Sequence, residues 1–488
     1  MSAFIRLFLL VLMSAVLWGC SDSSDKHSPP LPPPEPEPLV PSALVSGPIT
    51  NGSRGFPATP AIVDLDGAGY VEEEFFVEGE ARAFDPDGEW GIDGIWPVTE
   101  ASTADYKTRI LVRRPSDPAQ FSGVVVVEWF NVTSAVDLDV DFNFLNGEIL
   151  RSGHAWVGVT AQAISIESIG DGPLGPDVLG LMAWDSARYE SLFHPGDAYS
   201  YDIYSQVGAT LKAPKGDDPL GGLKAEVLIA DGESQSAFRM LTYVNAIHSE
   251  SLVYDGFLIH SRNGSGAPLN ETVDVPAPAQ LRDDLKAPVL QFVTETDLFG
   301  IGEGDFSFPR ARQPDSDSVR TWEVAGTSHS DASSLAALSE QGARQYDSFY
   351  DLSPVLGLVN SAPQYMAMHA ALNALVSWVR DGQAPSTAPP IETRDEEIVV
   401  DRYGNALGGV RLPHSEAPIA TLSGDGPILY AGLTTPFDQA TLDALYPSAA
   451  DYIEAVETSA QAAVEAGFLL QLDADILIAE AKANPPVQ

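Results

Sequence analysis

One cysteine, Cys20, occurs in 488 residues, so no disulfide can form within the chain. Its place at the edge of an apolar leader argues against a catalytic thiol. Positive charge is scarce as well: 26 Lys and Arg stand against 69 Asp and Glu, a formal net charge of −43. A surface of that sign repels phosphate backbones and anionic headgroups, so neither nucleic acid nor direct membrane-surface binding is expected. The acids are spread along the chain, the pattern of a solvated acidic surface. No zinc-ligand spacing and no phosphate-binding glycine loop occurs, and no metal or cofactor is expected. Asp137-Leu138-Asp139-Val140-Asp141 alternates acids as a calcium loop does, but Phe142 stands where that loop needs glycine. These acids are read instead as the start of a helix.

What is present begins with the N-terminus. Arg6 precedes the apolar run Leu7 to Met13, which continues to Leu17-Trp18-Gly19-Cys20. The run is too short for a comfortable membrane span and fits a secretory signal. Its last four residues resemble a bacterial lipobox, which predicts a signal over 1–19 and lipidation of Cys20. Residues 20–44, rich in Ser, Asp and then Pro, read as a disordered, then stiff tether. By resemblance to bacterial lipoprotein sorting, Ser21 after the lipidated Cys implies the outer membrane, so the expected place is the bacterial cell envelope, with membrane contact through the anchor alone, or secretion. The 44% hydrophobic content of the chain suffices for a sizeable core.

The chemistry is concentrated further along. The apolar run Ala225 to Ala230 leads through Asp231-Gly232 into Glu233-Ser234-Gln235-Ser236 and then a helix-compatible stretch. Strand, sharp turn and helix is the setting of a nucleophile elbow, in which residues two before and two after the serine must be small. Gly232 and Ser236 meet that need. The strand Pro288 to Val293 ends in Thr294-Glu295-Thr296-Asp297, and the strand Thr321 to Val324 runs into Ala325-Gly326-Thr327-Ser328-His329-Ser330-Asp331. Serine, acid and histidine thus follow one another, each past a strand end. A serine hydroxyl is a poor nucleophile at neutral pH; His329 can take its proton and return it to a leaving group, while a carboxylate fixes the imidazole tautomer. Asp297, where the chain has left the strand, is the first candidate acid; Glu295 is the alternative. Asp331 is read as the cap of the next helix. His260 and Arg262 follow the strand Gly256 to Ile259 and are candidates for substrate contact, whereas His194 receives no chemical role.

The blocks Val124 to Thr133, His194 to Asp202, the elbow, Glu295 to Asp297, Trp322 to Asp331 and Gly404 to Pro413 resemble the bacterial α/β-hydrolase domain-containing proteins. The resemblance spans most of the chain after the leader. It implies an α/β-hydrolase fold over 45–390, a mostly parallel sheet of about eight strands flanked by helices and bearing insertions, with a C-terminal extension over 391–488 that caps the site or buttresses the core. It implies hydrolysis of a small or polymeric carboxylic ester, with Ser234 as nucleophile and His329 as base. An amidase or peptidase using the same residues, or a binding module without catalysis, are the alternatives. The backbone amides of Gln235 and of a residue after the first parallel strand (Phe130, Asn131 or Val132) are the expected oxyanion donors.

Overall fold

Val124-Val125-Val126-Val127 is β-branched throughout, which suits a strand buried on both faces. This run forms the middle of a ten-stranded sheet. In chain order the strands are β1 Leu44–Ser46, β2 Tyr70–Pro86, β3 Val98–Pro115, β4 Val124–Trp129, β5 Ala155–Val159, β6 Lys215–Gly216, β7 Val227–Glu233, β8 Gly256–His260, β9 Val289–Thr294 and β10 Val319–Val324. Across the sheet they run β10-β9-β8-β7-β4-β5-β3-β2-β1-β6. From β5 to β10 every pairing is parallel, while β3 against β5, β2 against β3 and β1 against β2 are antiparallel. The computed structural model describes residues 39–488 except 171, 271, 348, 350 and 429. The signal over 1–19, Cys20 and most of the tether lie outside the described residues.

The strand period of two sorts side chains onto two cores. Val125, Val127, Val157, Leu228, Ala230 and Ile259 belong to one, with Tyr201, Tyr204 and Val207 of helix α1 (Ser200–Lys212) and Met240 and Leu241 of α2 (Gln235–Thr242). Val124, Val126, Trp156, Ile229, Leu258 and Leu290 belong to the other, with Leu145 and Ile149 of the helix Val140–Arg151 and Leu372 and Leu375 of the helix Gln364–Asp381. Helices on both faces leave the carboxyl ends of the parallel strands as the open edge, where functional groups collect in such sheets.

The sheet departs from expectation in three places. It has ten strands instead of eight, because β1 and β6 are three and two residues long and carry no readable period. β3 begins at Val98, well before the apolar Ile110-Leu111-Val112: the polar stretch Val98 to Lys107 pairs with β2 through one register shift at Ala83/Phe84 and exposes much of its length. Asp231-Gly232 is no turn. Both residues pair in register, Asp231 with Glu128 and Leu258, Gly232 with Ile259, so β7 runs straight to Glu233. The ordered body also starts earlier than residue 45, since Val40 and Ala43, inside the segment read as tether, are buried in the first core.

The segment 391–488 packs on the sheet's far edge. The Val410 amide donates to the Glu323 carbonyl at 2.7 Å and its carbonyl accepts from the Ala325 amide at 3.0 Å, extending the parallel ladder past β10. Phe468 stands edge-on to Trp322, centroids 5.0 Å apart. Asp473 takes both terminal nitrogens of Arg151 at 2.8 Å and the His369 ring at 3.0 Å.

Candidate active site

Because β7 continues to Glu233, the chain must reverse within one residue to start α2. Ser234 does this at φ 57° and ψ −115°, a conformation costing on the order of 1–3 kcal/mol for a non-glycine residue. The reversal brings residues 232 and 236 together: a Cβ on Gly232 would lie 2.9 Å from the Ser236 Cβ and 3.1 Å from the Ser236 carbonyl carbon. That contact is why position 232 lacks a side chain and position 236 carries a small one. The elbow is held by the Ser234 amide, which donates to the His260 carbonyl at 2.9 Å.

Asp297 owes its orientation to a helix start. Thr294 caps the short helix α3 (Glu295–Phe299), and Asp297 is its third residue. The Thr294 amide and hydroxyl both donate to Asp297 Oδ2, at 2.7 and 2.8 Å. Oδ1 is left to meet His329 Nδ1 at 2.8 Å. The other ring nitrogen, Nε2, lies 2.8 Å from Ser234 Oγ. Thr296 Oγ1 accepts the His329 amide at 3.1 Å and itself donates to the Gly424 carbonyl at 2.6 Å, fixing the loop that carries the imidazole. Asp331 caps the following helix, Ala332–Gln345, accepting the Ser334 amide at 2.7 Å.

Glu295 does something else. Its two oxygens accept the amides of Gly326 and Gly424, at 2.6 and 3.0 Å. It is buried, which pushes its carboxyl up to about 7 against the lowering effect of those two amides. It ties the histidine loop to the C-terminal segment, and no contact joins it to the imidazole. Of the two candidate acids, only Asp297 meets His329.

Two of the three amides considered after β4 are already used. Phe130 donates to the Val159 carbonyl at 3.2 Å and Asn131 to the Leu138 carbonyl at 3.1 Å. Asn131 as a backbone oxyanion donor is therefore corrected: its amide closes a small bridge, and Val132 remains. The Val132 and Gln235 amides donate to no protein group among the described residues, and Gln235 opens α2, where the helix dipole adds to the local positive potential.

His260 and Arg262 are also corrected. Both are fully buried. His260 Nδ1 pairs with Asp141 at 2.7 Å and its Nε2 meets Gln364 at 3.0 Å. Arg262 donates to Gln291 at 2.7 Å and to the Asn263 carbonyl at 2.9 Å, with its guanidinium over Phe308. Position at a strand end was the reason to consider them; the helices Val140–Arg151 and Gln364–Asp381 enclose His260, and β9 with the segment after β8 encloses Arg262. His194 is held by the Ala161 carbonyl at 3.0 Å and the Gly196 amide at 3.1 Å. The acids at 137, 139 and 141 go to separate partners, Arg109, Arg113 and His260.

Two residues at the site were not singled out in the sequence. Glu233, a variable position of the elbow motif, puts Oε1 at 3.2 Å from His329 Nε2. Its only sequence signal is an acid at the end of an apolar strand. Tyr430, from the C-terminal segment, sets its ring 5.4 Å from the His329 ring with a backbone φ of 66°; nothing local in the sequence marks it. Ser234, Glu233, His329 and Tyr430 open into a cavity of about 170 Å³, whose walls include Leu138, Leu335, Leu338, Thr133 and Gln341. A larger cavity of about 710 Å³ between Thr387–Pro389 and the helix Ala449–Ala466 contains none of these groups; size alone does not mark the site.

A strand-elbow-helix serine within reach of a histidine at the carboxyl edge of a parallel sheet defines the α/β-hydrolase class. Residues 45–479 match the model of the family described as "Alpha/beta hydrolase domain", and the chain belongs to that family. No curated protein matches the chain. Among solved structures it is similar to a putative dienelactone hydrolase from Klebsiella pneumoniae (12% identity, 46% of this chain and 74% of that one, TM-score 0.24). It is also similar to an α/β serine hydrolase without lid from Xanthomonas campestris (14% identity, 54% and 92%, TM-score 0.28). A glucuronoyl esterase from Solibacter usitatus matches at 12% identity over 61% and 83%, TM-score 0.28.

Proposed function

We propose that the protein is a serine hydrolase that cleaves carboxylic esters through an acyl-serine intermediate. One observation carries this reading: the His329 ring spans Ser234 Oγ and Asp297 Oδ1, with both contacts at 2.8 Å. With Nδ1–H directed at Asp297, the Nε2 lone pair faces the serine hydroxyl. Ser234 attacks the ester carbonyl as its proton passes to Nε2, and the tetrahedral oxyanion takes hydrogen bonds from the Gln235 and Val132 amides. Nε2–H then protonates the departing alkoxide. Water, deprotonated by the same nitrogen, releases the acid from Ser234.

The cavity bears on substrate size. At about 170 Å³ it is smaller than the ~300–1,000 Å³ that accommodates drug-sized ligands, and its apolar walls at Leu138, Leu335 and Leu338 suit a short acyl chain.

Ser234→Ala tests the reading on p-nitrophenyl acetate and butyrate. The expected outcome is a fall in kcat of at least ~10⁴-fold with an unchanged melting temperature, together with loss of fluorophosphonate labelling. Turnover retained in the folded variant refutes it.

A further inference from the structure

The hydrogen bonds of Asn131 and His329 point to a second carboxylate in the proton path. Asn131 Oδ1 accepts the Thr133 amide at 2.8 Å, which fixes the side chain with Nδ2 facing Glu233. Nδ2 donates to Glu233 Oε2 at 2.8 Å and to the Glu233 carbonyl at 3.1 Å. Clamped in this way, the buried Glu233 carboxyl offers its free oxygen, Oε1, to the edge of the imidazole that also meets the nucleophile, 3.2 Å from Nε2. His329 therefore has a carboxyl group at each nitrogen, Asp297 at Nδ1 and Glu233 at Nε2.

We propose that Glu233 is a positioning residue for His329: its carboxylate holds the imidazolium that forms when Ser234 attacks, and sets the pH at which His329 becomes available as a base. The inference rests on the hydrolase reading. Protons balance without another reactant. The serine proton moves from Oγ to Nε2, where the new N–H lies between Glu233 Oε1 and the leaving oxygen. It departs on the alkoxide, and Glu233 ends as it began. At lower pH the pair shares one proton, as imidazolium beside a carboxylate or as imidazole accepting from a carboxylic acid, and in both forms Nε2 is occupied. Loss of that proton leaves neutral imidazole beside the carboxylate, the form that serves Ser234 as a base.

The surroundings favour holding that proton. Around His329 stand Asp297, Glu233, the Ser234 hydroxyl and the Tyr430 ring. Burial by itself would lower the imidazole, but the negative charges of Glu233 and Asp297 outweigh it and carry His329 up to about 9. Burial pushes Glu233 up to about 7, with the charges of His329 and His260 opposing and those of Asp141 and Asp297 adding. Two such groups in contact titrate as a pair.

The test is Glu233→Gln, which keeps the shape and an acceptor for Asn131 but removes the charge. In kcat/KM for p-nitrophenyl acetate from pH 5 to 10, the acid limb is expected to move down by about one pH unit or more, a tenfold change in proton concentration. The plateau should fall by about 10–100-fold, the worth of a hydrogen bond to a charged group. Glu233→Asp, which retains the charge, is expected to keep the limb closer to that of the native protein. An NMR titration of the His329 ring, assigned by its loss in His329→Asn, reads the same quantity without turnover. It should give a midpoint above the ordinary ~6.5 in the native protein and a lower one in Glu233→Gln. A native midpoint at or below 6.5, or a limb and midpoint unmoved by Glu233→Gln, overturns the proposal. Failure of the hydrolase reading looks different: Ser234→Ala then leaves turnover intact.

Discussion

Asp297→Asn is the substitution whose consequence follows most directly from the hydrogen bonds on the page. The side chain changes by one atom and the fold has no steric reason to respond. Two donors from Thr294, the amide at 2.7 Å and the hydroxyl at 2.8 Å, converge on Oδ2. A backbone N–H can only donate, so the asparagine must keep its oxygen there and turn its NH₂ toward His329 Nδ1. The ring must then accept at Nδ1 and carry its proton on Nε2, the nitrogen 2.8 Å from Ser234 Oγ. A protonated Nε2 cannot remove the serine proton. The same tautomer error in a serine protease lowers kcat by about 10⁴, or about 5.4 kcal/mol at 1.36 kcal/mol per tenfold, and a loss of that order is expected here. The assay is kcat/KM on p-nitrophenyl acetate at pH 7 to 9, alongside the melting temperature. A folded variant within tenfold of the native rate refutes the argument, and a comparable loss in Glu295→Gln would transfer it to the other acid.

Two further expectations concern the scaffold of the site. Gly232→Ala places a methyl 2.9 Å from the Ser236 Cβ and 3.1 Å from its carbonyl; since backbone must yield, a cost of about 1–3 kcal/mol is expected, with a fall in kcat as Ser234 shifts, read by urea unfolding and ester turnover. Glu295→Gln changes the pH dependence of stability. With a carboxyl near 7 in the fold against an ordinary 4.5, the native residue contributes fully below pH 4.5 and loses that contribution as pH rises through 7. Glutamine does not titrate. After a fixed cost, because one of the two glycine amides loses its acceptor, the variant therefore gains on the native protein between pH 4.5 and 7, by about 3 kcal/mol at most. A flat difference in unfolding free energy across that window contradicts the assignment.

The parts of the site that were legible in the sequence are those a local rule governs. Elbow sterics single out Ser234 between Gly232 and Ser236, and strand ends single out His329 and the Glu295-Thr296-Asp297 turn. The sequence ranks Asp297 ahead of Glu295 only by its place past the strand end; which carboxylate points at the imidazole is decided by the Thr294 cap, which binds one oxygen of Asp297 and frees the other. His260 and Arg262 occupy the right end of a strand but are buried against Asp141, Gln364 and Gln291, partners remote in sequence. The parallel strands announced themselves through unbroken apolar runs. The first half of β3 did not, since Val98 to Lys107 exposes polar side chains and depends on β2 for its geometry. Tyr430 reaches His329 from about a hundred residues downstream, a distance no periodicity bridges.

That last contact separates two properties along the chain. Ser234, Asp297 and His329 come from the sheet's carboxyl edge, while part of the cavity wall is supplied by a loop that also seats Gly424 against Glu295. On the proposed hydrolase reading, exchanging the loop around Tyr430 between homologues, with Gly424 retained, is expected to change acyl or alcohol preference while leaving bond cleavage intact. Truncating the protein at residue 390 is not, because it strips an acceptor's partner from beneath the histidine.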